Sequence, residues 1–240
     1  MFSDVHGNLG FLEKGLEWLK AQGAGKLVFL GDVVGKSGHN RECLERLFHE
    51  AADLIFGNHD RAGLRLLDKE LRLGLEARAQ RRVRLGENNE ILCSHTATDR
   101  RVAYKGVGVW RTNYLDNAEK AAAQFRADDF YIFFFGHTHE AVIFEWRGED
   151  EPPRQIPITR NSRVTLHPLR RYLVNPGPMT DIRDTYYENP HRRDFHIDRP
   201  SVLLYDSTQR TLRFHFLADP PPDGAVETAR ARILSSHRSR

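Results

Sequence analysis

The stretch Asp53-Leu54-Ile55-Phe56-Gly57-Asn58-His59-Asp60 joins a short apolar run to a turn. A run of this length, closed by Gly-Asn, reads as a buried strand ending at Phe56. Asn58 and His59 then leave the strand's C-terminal end side by side. Asn58 offers a neutral amide oxygen, and His59 an imidazole that gives or takes a proton near neutral pH. Taken alone the stretch is a weak signal, because Gly-Asn is a common turn and His59 serves equally as a capped loop residue. Four other blocks share its pattern. Asp4-Val5-His6 and Gly31-Asp32 precede it, and Ser94-His95 and Gly136-His137-Thr138-His139 follow. Each stands after an apolar run, so each can be delivered to the same edge of a sheet.

Working outward, the apolar spacing predicts a helix over residues 10–22, a strand over 26–30 leading into Gly31-Asp32, a helix over 41–52 and the strand to Phe56. That is a βαβ rhythm with a parallel sheet. A helix over 60–82, a strand over 90–93, an Ala-rich helix over 116–127 and a buried strand over 130–135 follow. The second half is strand-rich, with strands over 141–146, 164–166 and 171–174, a polar loop over 148–163, and a hairpin of 201–205 with 211–217. Only Met1-Phe2-Ser3 precedes Asp4, whereas a buried strand takes about four to eight residues. The expectation is therefore a stub of a first strand, or a natural chain that starts upstream of Met1. One domain over 1–217 is expected, followed by a basic, flexible tail over 218–240 after the Pro220-Pro221-Pro222 breaker.

Composition sets limits. The chain has 240 residues, 40% hydrophobic and 29% charged, enough for one sizeable core. Two cysteines give no disulfide framework and point to a reducing compartment, so a cytoplasmic protein is expected. No apolar run approaches the length of a membrane span, and no membrane partner is expected. The net charge is +3. Residues 225–240 carry four Arg against one Glu, so the tail accounts for that excess and the body is formally neutral. This argues against a broad basic nucleic-acid face. Of twelve histidines, His39, His49, His167, His191, His196, His215 and His237 read as ordinary surface or packing residues.

The remaining candidates are Asp4, His6, Asp32, Asn58, His95, His137 and His139. Oxygen and imidazole donors without thiolate suit Mn, Fe, Co, Ni or Zn. Seven donors are too many for one ion and suit two, with a carboxylate such as Asp32 able to bridge them. In an extended segment His137 and His139 point to one side and Thr138 to the other.

The ordered set Asp4-x-His6, Gly31-Asp32, Gly57-Asn58-His59-Asp60, His95 and Gly136-His137-x-His139 resembles the calcineurin-like metallophosphoesterase superfamily. Gly31-Asp32-Val33-Val34-Gly35 with Asn40-x-Glu42, and the late Val174-Asn175-Pro176-Gly177, are similar to its small bacterial phosphoesterase/phosphatase branch. The resemblance implies an α/β fold, a four-layer αββα sandwich with two mixed central sheets and a dimetal site at the strand ends. It implies two divalent transition-metal ions, Mn first, with Fe, Ni, Co or Zn as alternatives. Asp4, His6, Asp32 and His139 would hold one ion, and Asp32, Asn58, His95 and His137 the other. A metal-bridging hydroxide would attack the phosphate in line, and His59 would protonate the leaving oxygen. Asp60 would orient His59, or else cap the helix that follows.

Some positions depart from the family's patterns. Gly35 and Lys36 stand where phosphoprotein phosphatases of the superfamily carry Asp and Arg. His95-Thr96-Ala97-Thr98 stands where the small bacterial branch resembles His-Gly-Ser-Pro. The expected partner is a small phosphate ester or nucleotide, with Arg100, Arg101, Lys105 and Arg111 as candidates for a second phosphate. Two other readings remain, a non-catalytic scaffold of the same fold and a nuclease of the superfamily. Filled catalytic positions weigh against the first, and the neutral body against extended duplex binding weighs against the second.

Overall fold

Asn8 starts the first helix. Its side-chain oxygen accepts the Phe11 N–H, one of the donors that a helix N-terminus leaves unsatisfied. The helix, α1 (Leu9–Ala21), buries Leu12, Leu16 and Leu19. Strand β1 (Val28–Phe29), helix α2 (Asn40–His49) and strand β2 (Asp53–Ile55) follow, and β1 and β2 pair in parallel. These elements come from a computed structural model that describes residues 1–35, 37–50, 52–98, 115, 117–159, 162–180 and 199–218.

The single helix expected over 60–82 is broken. The chain forms α3 (Asn58–Gly63), a 3-10 turn over Leu64–Leu66 and α4 (Lys69–Arg78). The break has a local cause: Leu67 is extended, and Asp68 caps α4 by accepting the Leu71 N–H. The expected last helical turn is instead β3 (Ala79–Gln80), parallel to β2, followed by β4 (Arg82–Leu85). β4 belongs to the other sheet, so the chain crosses between sheets at Arg81. Strand β5 (Ile91–Ser94), helix α5 (Ala118–Ala127), strand β6 (Ile132–Phe134) and strand β7 (Val142–Trp146) come next. Arg171 closes α5, its guanidinium donating to the carbonyls of Phe125, Asp128 and Phe130. Within the expected loop over 148–163 lies a short strand, β8 (Arg154–Ile156), which lengthens the hydrogen-bonded edge beside β7. Strands β9 (Arg163–Thr165), β10 (Arg171–Asn175), β11 (Ser201–Asp206) and β12 (Thr211–Phe216) complete the described elements.

One sheet has the order β4-β5-β6-β10-β7-β8. Two three-stranded sheets, β1-β2-β3 and β11-β12-β9, are joined through residues 1–3. Phe2 donates to Val28 and accepts from Leu30, a parallel contact with β1. Met1 exchanges hydrogen bonds with Leu203 in both directions, as an antiparallel pair does. The first strand is therefore short but held on both sides, with Phe2 fully buried.

Three apolar clusters define the layers. Phe29 and Leu54 pack with Leu16, Leu44 and Leu71, putting α1, α2 and α4 on one outer face. Val28, Leu30, Ile132, Phe134 and Leu203 fill the space between the sheets. Phe133, Phe135 and Leu173 pack with Phe125 of α5 on the other outer face. Alternate residues of one strand, such as Val28 and Phe29, serve different clusters, as the two-residue period of a strand dictates. The result is the αββα sandwich with two mixed sheets. Each large apolar side chain buried this way contributes about 1.5–3 kcal/mol. No helix among the described residues is long and apolar enough to cross a membrane. The tail expected over 218–240 falls, but for its first residue, outside the described residues.

Candidate metal centre

The five blocks meet where strands end. Asp4 and His6 leave the first strand, Asp32 follows β1, Asn58 and His59 open α3 after β2, His95 follows β5, and His137 and His139 follow β6. The backbone turns sharply to make this possible. Asp4, His6, Asp32, His137 and His139 all have left-handed φ, between 49° and 70°. Among the described residues only Asn89 and Arg210 share that conformation without being glycine. Such a conformation costs about 1–3 kcal/mol per residue and persists only where the surroundings impose it. Here it turns each side chain into one shared space.

Three overlapping groups of donors result. Ligand-capable atoms of Asp4, His6 and His139 all lie within 4.8 Å of one another, and so do those of Asp32, His95 and His137 and those of His6, Asp32 and His59. Asp32 connects the groups. Its Oδ2 lies 3.2 Å from His95 Nε2 and 4.0 Å from His6 Nε2. In the first group His139 Nε2 is 3.3 Å from Asp4 Oδ1 and 3.1 Å from His6 Nε2. In the second, Asn58 Oδ1 is 3.0 Å from His95 Nε2. His95 Nδ1 is 2.8 Å from the Leu30 carbonyl, which can only accept, so Nδ1 carries a proton and Nε2 faces the site. His59 lies beside the first group, its ring 4.7 Å from that of His6 and edge-on to it. Its backbone N–H donates to Asp32 Oδ1. His59 is half-buried and Asn58 exposed, so this side of the site faces solvent.

The electrostatics suit cations. Burial works against the charge of Asp4, but His139 and His95 overcome it and hold the carboxyl at about 2. Burial likewise opposes ionised Asp32, and His95 and His6 drive its pKa well below the usual carboxylate range. Burial and the neighbouring His139 lower His6 to about 4, and burial with His95 lowers His137 to about 4. Both imidazoles are neutral at pH 7, the form a metal needs. His95 differs, because Asp32 outweighs burial and raises it to about 9. Two ionised carboxylates with the neutral imidazoles of His6 and His137, and His95 once it yields its proton, are buried in overlapping donor groups that fit a pair of divalent transition-metal ions.

Two close approaches explain the glycines in the blocks. A Cβ on Gly57 would lie 1.9 Å from Asp32 Oδ1, and one on Gly136 would lie 2.0 Å from Ser3 Oγ. Asp60 is buried and helps cap its helix, accepting the N–H of the N-cap residue Gly57. It is the third residue of α3, and its carboxylate accepts backbone N–H groups of Asp32, Val34 and Gly57. It thus fastens the Asp32 loop to the Asn58-His59 turn. Burial and the nearby Asp32 charge raise it to about 6.

Sequence reasoning saw Asn175 only as part of a turn. The structure makes it a support, with Nδ2 donating to the Gly136 carbonyl and to Thr138 Oγ1. The signal was its place at the end of β10, the parallel neighbour of β6. Asn40, in the sequence only a member of the Asn40-x-Glu42 motif, is a support as well. Its amide bonds both to the N–H and to the carbonyl of Gly35, the residue packed against His6. Arg100, Arg101, Lys105 and Arg111 lie outside the described residues.

Comparison with known proteins agrees with this geometry. An uncharacterised protein of Methanocaldococcus jannaschii is 26% identical over 198 residues, which cover 77% of this chain and 76% of that protein. A crystal structure of a metallophosphoesterase from Sphaerobacter thermophilus superposes with a TM-score of 0.66 at 26% identity, over 96% of this chain and 92% of that one. The family description that matches residues 1–188 is the calcineurin-like phosphoesterase superfamily domain, which takes in every block of the centre. The chain belongs to the calcineurin-like phosphoesterase superfamily.

Proposed function

We propose that this chain is a dimetal-dependent phosphoesterase that hydrolyses phosphate mono- or diesters, with His59 as the general acid. The observation that carries the reading is the position of Asp32, whose carboxylate reaches towards His6 on one side and His95 on the other. Asp4, His6, Asp32 and His139 would hold one cation, and Asp32, Asn58, His95 and His137 the other. When bound, two divalent cations supply charge neutralisation at the phosphoryl oxygens and acidify water into a nucleophile near neutral pH. Manganese is the first candidate.

The chain's own residues do the rest. The left-handed turns at Asp4, His6, Asp32, His137 and His139 set the donors before any ligand arrives, so little reorganisation is needed on binding. Asp60 and Asn175 hold the loops that carry them. His59 stands at the solvent-facing rim with its backbone fixed to Asp32. From there its ring can hand a proton to the leaving oxygen of an ester bound at the rim. A positioned acid of this kind contributes about 10²–10⁴-fold. The substrate proposed is a small phosphate ester or nucleotide.

The test is a panel of nitrophenyl phosphate monoester and diester probes against Mn, Ni, Co and Mg. Turnover that needs a transition metal and disappears on chelation is expected. A protein loaded with two ions that turns over no probe would contradict the proposal and favour a binding role.

A further inference from the structure

Helix α5 buries Ala121, Ala122 and Phe125, and among these apolar residues it also buries Gln124. No part of Gln124 reaches solvent. A carboxamide taken out of water is costly unless its polar atoms find partners, whereas a leucine of similar size would carry no such cost here. Filling the cluster between α5 and its sheet therefore does not account for a glutamine.

Its partners lie on the path out of the metal centre. Oε1 accepts the Thr98 N–H at 2.8 Å. Nε2 donates to Thr98 Oγ1 at 2.7 Å and to Asp128 Oδ2 at 2.9 Å. Thr98 Oγ1 in turn donates to Asp128 Oδ2. Thr98 is thus held through its main chain and its side chain by two residues one helical turn apart. The anchor is itself tied down. Asp128 is the C-cap of α5, and the guanidinium of Arg171, on β10, donates to the carbonyls of Phe125 and Asp128.

Thr98 stands three residues after His95, where the chain leaves β5. His95 is fixed on its near side twice. Its carbonyl accepts the Gly136 N–H at 3.0 Å, and its Nδ1 donates to the Leu30 carbonyl at 2.8 Å. On the far side, Ala97 is buried in the cluster that holds Phe125, and Thr98 is gripped by α5. Three residues span at most about 10–11 Å, so a displaced Thr98 moves His95 with little slack.

We propose that Gln124 and Thr98 form a clasp that positions His95 for the cation that Asp32, Asn58, His95 and His137 would hold. The inference rests on the dimetal reading of the site. Both are positioning residues, outside the donor set, and they act through the short segment between Thr98 and His95. The clasp needs a group that accepts and donates at once, which glutamine supplies and leucine does not.

The experiment titrates manganese into the chelated full chain and resolves the two binding steps by calorimetry. Gln124→Leu and Thr98→Val break the clasp. Thr98→Ser keeps the hydroxyl. Asn117→Ala is the control, because Asn117 caps the same helix by accepting the Lys120 N–H and takes no part in the clasp. Gln124→Leu and Thr98→Val are expected to weaken one step about tenfold or more and to leave the other within about threefold. Thr98→Ser and Asn117→Ala are expected to keep both steps, whatever Tm they lose. Thr98→Val is the milder change and carries the test if Gln124→Leu does not fold. Both steps unchanged in folded Thr98→Val would overturn the inference and leave the dimetal reading standing. Equal weakening of both steps, or the same loss in Asn117→Ala, would overturn it as well, by showing a general loosening of α5. A parent that takes up fewer than two ions would contradict the dimetal reading itself, and the inference would fall with it.

Discussion

Asp60 accepts the backbone N–H of Asp32 at 2.9 Å, from a carboxylate buried completely in a different element. The same carboxylate takes the N–H groups of Val34 and Gly57. One side chain thus fixes the left-handed turn of the central ligand and the start of the helix bearing Asn58 and His59. Asp60→Ala leaves three buried donors without their acceptor, at about 1–3 kcal/mol each. Thermal unfolding of the metal-free variant is expected about 10 °C or more below that of the parent. A loss of only a degree or two would show that other groups set the Asp32 turn.

The metal-free protein is expected to be most stable between about pH 6.5 and 8, where the buried Met1 amino group, lowered from 8.0 to about 5, offsets His95. His6 and His137 have folded pKa values of about 4, below the ordinary value of 6.5, so the unfolded chain takes up protons first as pH falls. Stability therefore drops between about pH 6.5 and 4. Asp60, raised to about 6, acts in the opposite sense over part of that range, but it is one group against two. His95 is raised to about 9, so its contribution is complete below pH 6.5 and is lost as pH rises through 9. Asp4 and Asp32, both depressed, withdraw stability only below the ordinary carboxylate value of 3.8. A chelated sample scanned by calorimetry from pH 4 to 9.5 should show Tm falling on both sides. A flat profile would mean that these groups titrate alike in the folded and unfolded chains.

The candidate site was legible in the sequence to an unusual degree, and the reason is physical. Each donor stands directly after a buried strand, and buried strands announce themselves as short apolar runs, as Phe130 to Phe135 does before His137. The contact of Asp60 with Gly57 follows a helix-start pattern, but its hold on Asp32 and the role of Asn175 were not legible. Both act through backbone groups distant in sequence, Asp32 and Gly136, and no local pattern encodes that contact. The break at Asp68 was missed because Leu64, Leu67, Leu71 and Leu75 keep helical spacing across it. The cap that stops one helix and starts another is a single side chain, and the leucines face the core on either side of it. Strand β8 escaped because two of its three residues, Arg154 and Gln155, are polar and, among the described residues, it pairs only with β7.

His59 gives a test of mechanism separate from binding. If it protonates the leaving oxygen, it matters in proportion to how much the leaving group needs a proton. His59→Asn is expected to keep its metal and to slow hydrolysis of an alkyl or nucleoside ester by about 10²–10⁴-fold, and of a nitrophenyl ester by much less. Equal losses on both substrates at unchanged metal content would remove His59 from that role.

The most direct measurement is elemental analysis of the parent and of Asp32→Asn after loading with manganese, paired with turnover of a nitrophenyl phosphodiester. Asp32 reaches towards His6 of one donor group and His95 of the other, so one substitution bears on both. The account predicts two ions per parent chain, with joint loss of both ions and of turnover in the folded variant. Two retained ions and undiminished turnover in Asp32→Asn would contradict it.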